Sequence, residues 1–330
     1  MLCSLHEASE LVKEGSPLIV SGNPELIRRL PAGNWIGGST PFLLTRKGGT
    51  SSHDCVMVRK LPPEAKLQSI QRYGVGGLRY LAEDIPDNGF TIIIVPGSTL
   101  VHQTFAKEAY TYEGIQKKAI VGWITGVRSG SGFFGRPQAF FGPRRQAIED
   151  EAVAIHMTLP EGIHAKIQVI NAFVPGDGDE ITFPSEGFSA THATINGETV
   201  IFAEYIEKKK IDPRLPLVTR HGKSFINVSI GSRSIEDAKV SFFAPVFRNQ
   251  VYKFAAEVGD MTEMLQQEVD KHKDHPIFSC TCIGNFIYGI MDGKFDPGNF
   301  TGPISFGEIA QVLHNQTFTY LSLEKDGEAP

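Results

Sequence analysis

The apolar positions of this chain fall into short segments whose period changes often. Leu5, Ala8, Leu11 and Val12 share one helical face; Ser4 caps it, Glu7 completes a capping box and Gly15 ends it, giving a helix over 5–14. Residues 17–21 read as a strand, and Asn23-Pro24 opens a brief helix carrying Leu26, Ile27 and Leu30. A strand over 34–36 is expected to break at Gly37-Gly38-Ser39-Thr40, and another follows at 54–59. Residues 64–83 read as helix interrupted at Gly74-Val75-Gly76-Gly77. The run Thr91-Ile92-Ile93-Ile94-Val95 is the best central strand of the N-terminal half. It stops at Pro96-Gly97, where Ser98 is read as the cap of a helix reaching about Ala109. A strand over 119–126 faintly echoes the glycine-broken one at 34–40.

Farther on, 128–143 is rich in Gly and Phe, lacks periodicity and reads as a long loop. Strands are expected at 152–158, 166–173, 199–205, 224–230 and 239–243, separated by turns such as Pro175–Asp179 and Asn196-Gly197. Asp260 and Glu263 start an amphipathic helix with Met261, Met264, Leu265 and Val269 on one stripe. A thiol-bearing strand around 277–282, a short helix at 307–313, a closing strand at 316–323 and a frayed tail from 324 complete the chain. The pattern predicts a mixed α/β (α+β) protein of two sheet-containing parts with flanking helices, divided at about 1–210 and 211–330.

Composition narrows the function. The 330 residues suffice for a large core. A net charge of -5 argues against a nucleic-acid partner, and Lys208-Lys209-Lys210 and Arg144-Arg145 are short enough to be solvated surface. No apolar run approaches the roughly 20 residues of a bilayer span, and the charged start of the chain does not read as an export signal. Four cysteines without disulfide-framework spacing point to a reducing cytoplasm.

Candidate chemistry is sparse. Gly130, Gly132 and Gly135 match a dinucleotide fingerprint literally, but Arg136-Pro137 follows where a helix should start, so the match is read as coincidence. No phosphate-loop lysine or nucleophile elbow is present. Cys280 and Cys282 face one side of their strand, with His272 and His275 upstream. Cys-x-Cys is the wrong spacing for zinc, so buried thiols, or a pocket-lining Cys280, are the better readings. Glu308 reads either as a first-turn carboxylate of the 307–313 helix or as an anion facing a ligand. Gly37-Gly38-Ser39-Thr40 could turn backbone N–H groups toward an anion, although glycine at a strand end more often means tight packing. His102, His156 and His192 each stand alone and read as satisfied core or surface histidines.

The segments Phe278-Ser279-Cys280, Gly302–Ile309 and Asn315–Leu323 together resemble the C-terminal part of the FIST family, bacterial intracellular sensory modules built of N- and C-terminal parts. Leu18–Val20, Pro31–Thr40, Ile92–Val95 and Ile120-Val121-Gly122 resemble its N-terminal part more loosely, and Leu217-Val218-Thr219 with His221-Gly222 resembles the junction. Where that family commonly carries an arginine after Phe-Ser-Cys, this chain has Ile283 or Asn285.

The resemblance implies a non-catalytic sensor for an amino acid or related metabolite bound between the two parts, with no cofactor and no metal, and with a separate signalling protein as a further partner. Gly38, Ser39, Thr40, Cys280, Asn285 and Glu308 are the expected wall residues: backbone donors, a hydroxyl donor, a soft surface, an amide reader and an anion for a ligand cation. Two alternatives stand beside it: an enzyme using Cys280 as nucleophile with Glu308 as orienting acid, or a scaffold that docks a kinase or cyclase.

Overall fold

Three times among the described residues a strand runs into a turn and a short helix and returns as a parallel neighbour of itself. The first unit is strand Leu18–Gly22, helix Pro24–Ile27 and strand Trp35–Ser39, in register from Leu18↔Trp35 to Gly22↔Ser39. The second is strand Gly89–Val95, helix Leu100–Glu108 and strand Ile120–Ile124. The third is strand Phe278–Cys282, the helical turns Ile283–Asn285 and Phe286–Ile290, and strand Gly302–Ser305. Parallel neighbours need such a crossover, because a hairpin can only reverse the chain. The computed structural model describes residues 1–127, 136–221 and 224–327, and the literal dinucleotide fingerprint at 130–135 lies outside them.

Each unit anchors a six-stranded mixed sheet completed by antiparallel strands. Strands Leu2–Ser4, Cys55–Lys60, Ala139–Phe141 and Gln146–Ile148 extend the first. The second gains Lys66–Tyr73, Ala152–Thr158 and the small strands Glu308–Ala310 and Val312–His314. The third gains Phe42–Thr45, Gly48–Thr50, Ile163–Ile170 and Phe318–Lys325. A fourth six-stranded and a fifth three-stranded sheet come from residues 181–254, with helix Phe202–Lys209 against them. The fold is mixed α/β. Strands from both sides of residue 210 share four of the five sheets, so the parts expected at 1–210 and 211–330 interleave.

The three unit-bearing sheets meet around one apolar cluster. Ile19 and Ile36 of the first sheet, Ile92, Ile94 and Trp123 of the second, and Phe278 and Leu321 of the third are all buried in it. Trp123 stacks on Phe278 at 5.7 Å, an offset pairing that adds to the area both rings bury.

Several elements differ from expectation. The strand at 35 continues through Gly37 and Gly38 to Ser39, because both glycines are paired on either side by Val20 and Ser21 and by Phe140 and Ala139. Most of 64–83 is strand Lys66–Tyr73, followed by two short helical turns at 78–84. The second half of the expected 199–205 strand is the start of helix Phe202–Lys209. Residues 307–313 form a hairpin, Glu308–Ala310 against Val312–His314, turning at Gln311 with φ 63. The closing strand runs on to Lys325. Among the described residues no helix is long and apolar enough to cross a membrane.

Candidate ligand-binding groove

The six parallel strands deliver their carboxyl ends to one line. Gly126 N–H, just past the second unit, donates to Ser39 O at the end of the first (3.1 Å). Phe306 N–H, past the third, donates to Ile124 O (3.1 Å), and Ile124 N–H donates to Gly307 O (2.8 Å). Thr40 Oγ1 donates to Ile304 O at 2.5 Å. The second strands of the three units are thus joined at their carboxyl ends by backbone and hydroxyl bonds, and the turns leaving five of the six parallel strands line a shared space.

Three adjoining cavities occupy that space. The middle one, about 540 Å³, is lined by Gly97, Ser98, His102, Thr125, Phe188 and Phe306 among others. It shares Gly97, Ser98 and Pro137 with a cavity of about 930 Å³ that carries Arg28, Arg136, Arg145, Glu149 and Asp150. On its other side it shares Val127, Gly231, Phe243 and Phe306 with a cavity of about 290 Å³ that reaches Cys282, Gly284 and Gln316. Together they form a groove outside the carboxyl ends of the parallel strands, the place where open α/β sheets bind ligands. A smaller, more enclosed hollow of about 180 Å³ lies toward the other end of the Leu100–Glu108 helix, beside Tyr110, Arg220 and Tyr252. Among the described residues no parallel strand ends there, so the groove is the stronger candidate.

Of the residues expected to wall a pocket, most are structural. Gly38 is enclosed: a Cβ there would stand 2.7–2.9 Å from Ile94, Trp123 and Thr125. Ser39 is fully buried, its Oγ accepting from Gln138 N–H (3.0 Å) and its N–H donating to Gln138 O (2.9 Å). Thr40 spends its hydroxyl on Ile304 O. This stretch therefore ties sheets together and leaves no N–H group for an anion. Cys280 Sγ packs against Gly122 O (3.3 Å) and Thr319 Oγ1 (3.0 Å). Burial, reinforced by Glu308, holds its thiol well above the ordinary range. Asn285 is fully buried; its Nδ2 donates to Thr281 Oγ1 and Thr317 O, both at 3.2 Å, while its Oδ1 has no partner.

Glu308 and the thiol strand do meet, but in a closed cluster. Glu308 is completely buried at the start of its strand. Thr317 N–H and Oγ1 both bond to Oε2 (3.2 and 2.9 Å), Ser305 Oγ lies 2.5 Å from Oε1, and the Cys282 thiol is the remaining neighbour. Desolvation outweighs these bonds and pushes the carboxyl up to about 8. Ser305 Oγ has one proton to give and two acceptors in reach, Glu308 Oε1 and, farther off, Thr281 O (3.2 Å). Glu308 is a neutral acid under the floor of the groove, and only Cys282 of this cluster reaches a cavity wall. His272 and His275 are engaged elsewhere, with Tyr320 and Asn299, and do not join the thiols.

The polar residues that do line the groove were not singled out by pattern. Thr99, not Ser98, caps the Leu100–Glu108 helix, its Oγ1 accepting from His102 N–H (3.2 Å). Ser98 sits at φ 60, an unusual conformation for a side-chain-bearing residue, and its N–H donates to His102 Nδ1 (3.3 Å). His102 is 7% exposed, packs edge-on against Phe188 and leaves its Nε2 without a partner. It is not a satisfied core histidine. Burial lowers its pKa to about 4. The available signal was Pro96-Gly97-Ser98-Thr99 between an apolar strand and a helix, the strand–turn–helix context of a switch-point site.

A family model described as "Family of unknown function (DUF6976)" matches residues 3–324. No curated protein matches the chain.

Proposed function

We propose, for a chain that belongs to the DUF6976 family of unknown function, that it is a non-catalytic sensory protein binding a small metabolite of the amino-acid or organic-acid class in the groove. The observation that carries this reading is the contrast between two regions. Five strand ends converge on open, mixed polar and apolar space, whereas the reactive-looking thiols and carboxyl beneath it are buried. The likeness of the Phe278, Gly302 and Asn315 segments to FIST sensory modules supports the same reading, with a separate signalling protein as the partner that reads the bound state. The four free thiols suit a cytoplasmic setting. The enzymatic alternative is less well supported, because a nucleophile must be a thiolate and both Cys280 and Cys282 are held as neutral thiols.

Thermal-shift screening against amino acids and small carboxylates tests the reading. A ligand at a hundred times its Kd stabilises by about 2.7 kcal/mol. Gly231 supplies the control: it lines two of the cavities, and a Cβ there meets nothing closer than 3.5 Å, so Gly231→Trp builds bulk into the groove. The response should vanish in that variant. A flat response across the panel, or one that Gly231→Trp retains, counts against groove binding.

A further inference from the structure

The middle cavity has a polar end and an apolar body. At the polar end the chain leaves strand Gly89–Val95 through Gly97, Ser98 and Thr99 and enters the nine-residue Leu100–Glu108 helix. The first N–H groups of a helix have no acceptor within it, and the aligned peptides make that end electropositive. Thr99 Oγ1 satisfies only His102 N–H. His102 folds back over this end, where Ser98 N–H donates to its Nδ1. A nitrogen that accepts carries no proton, so the neutral ring holds its proton on Nε2. That Nε2–H has no partner although the ring is 93% buried by the 7% exposure above. A buried donor left unmade costs about 1–3 kcal/mol, and nothing in the cavity wall relieves it. The remaining wall is mainly apolar, with Ile124, Val127, Phe188, Phe243 and Phe306 set among the polar Gln103, Thr125, Ser232 and Ser241. The adjoining cavity contributes Arg28, Arg136 and Arg145 against Glu149 and Asp150.

We propose that the middle cavity binds the oxyanion head of an acid with an apolar body, the head seated at the N-terminus of the Leu100–Glu108 helix and hydrogen-bonded by His102 Nε2–H. This rests on the groove reading and names the chemistry of its ligand. A carboxylate and a phosphate share the required feature, several acceptor oxygens on one compact anion. His102 serves as a neutral donor: protonating Nδ1 would set it against the Ser98 N–H. Phe188, with its ring centroid 5.1 Å from the imidazole, fixes the direction of the donor.

Calorimetric titration of the full chain with phenylacetate, phenyl phosphate and benzyl alcohol, which share a ring and differ in head group, tests the proposal. At least one acid should bind at least about tenfold more tightly than the alcohol, the worth of one added hydrogen bond of about 1.4 kcal/mol. The two acid arms separate carboxylate from phosphate. His102→Phe should remove the preference, and His102→Gln, which keeps an amide donor near the same place, should restore it. In long-range proton–nitrogen NMR of the wild-type chain, His102 should show the Nε2–H tautomer, and its Nε2 signal should move on addition of the preferred acid. This readout needs no variant and covers the case in which His102→Phe does not fold. Equal affinity for all three probes, unchanged acid binding by His102→Phe, or a still His102 signal overturns the oxyanion seat while leaving groove binding in place. The same holds if none of the three binds but other ligands give a response that Gly231→Trp abolishes.

Discussion

Glu308, His102 and His156 are buried ionisable groups whose displacements oppose one another across pH. Glu308 titrates near 8 in the folded chain against 4.5 when exposed, so between those values the native state holds a proton the unfolded state has released. Its contribution is complete below about pH 4.5 and declines as pH rises to about 8. His102 and His156 are depressed to about 4 from 6.5, mainly by burial, so their contribution is present above pH 6.5 and is lost as pH falls toward 4. Between 4.5 and 6.5 two histidines outweigh one glutamate, which places the stability maximum of these three groups near pH 6.5. Urea midpoints measured from pH 4 to 9 should trace that maximum. In Glu308→Gln the amide NH₂ can donate to Ser305 Oγ, whose own proton then turns to Thr281 O, and the carbonyl can keep the Thr317 bonds. The variant should therefore lose the decline above pH 6.5 and exceed the wild type at pH 9. A second residue-scale outcome concerns thiols. Iodoacetamide at pH 7.5 should modify half-buried Cys55 and spare Cys280 and Cys282, read by peptide mass. Prompt labelling of Cys280 would instead revive the nucleophile.

At the scale of elements, the parallel units depend on glycines that let two strands approach. A Cβ on Gly122 would lie 1.8 Å from Ile93 O, and one on Gly302 equally close to Ser279 O, both backbone atoms of the paired strand. Gly38 differs, because the atoms in its way are side chains that can turn. Gly122→Ala should therefore destabilise by about 3 kcal/mol or more, and Gly38→Ala by less, in chemical denaturation of the two variants. What the sequence disclosed at this scale follows from how local the cause is. The capping box at Ser4 and Glu7 and the Asp260 cap are contacts within one turn, and both helices stand where the pattern puts them. Strand Lys66–Tyr73 was hidden by a bulge: Leu67 pairs with Met157 and Ser69 with His156, leaving Gln68 extra. That insertion puts Leu67 and Ile70, three apart, on one face, and Tyr73 on the opposite face happens to continue the spacing, which imitates a helix. Glu308 looked helical because Gln311, a residue with no turn preference, makes the reversal at φ 63. The cluster around Glu308 was partly legible as residue types, but its closure depends on Thr317 and Ser305 arriving from other strands. The groove's own polar residues were not legible, since an unpartnered His102 nitrogen is defined only by what surrounds it.

For the molecule as a whole, the order of strands matters more than any boundary in the chain. Phe42–Thr45 pairs with Gly302–Ser305, Ile120–Ile124 with Glu308–Ala310, and Ile163–Ile170 with Phe318–Lys325 over eight residue pairs. A break at residue 210 would strip each partner of a neighbour and expose long edges of unpaired backbone, which are costly in isolation and prone to self-association. The Trp123–Phe278 stack at the centre would be divided as well. Residues 1–210 and 211–330 expressed separately should each lack near-ultraviolet dichroism and aggregate, whereas the full chain should unfold in one transition by fluorescence and by far-ultraviolet dichroism alike. Two separated transitions, or a soluble folded fragment, would mean that the halves are independent bodies. In that case the groove between strand ends could open and close by their relative motion. In a single cooperative unit its walls are fixed by the core, and ligand binding must be reported through the turns that leave those strand ends.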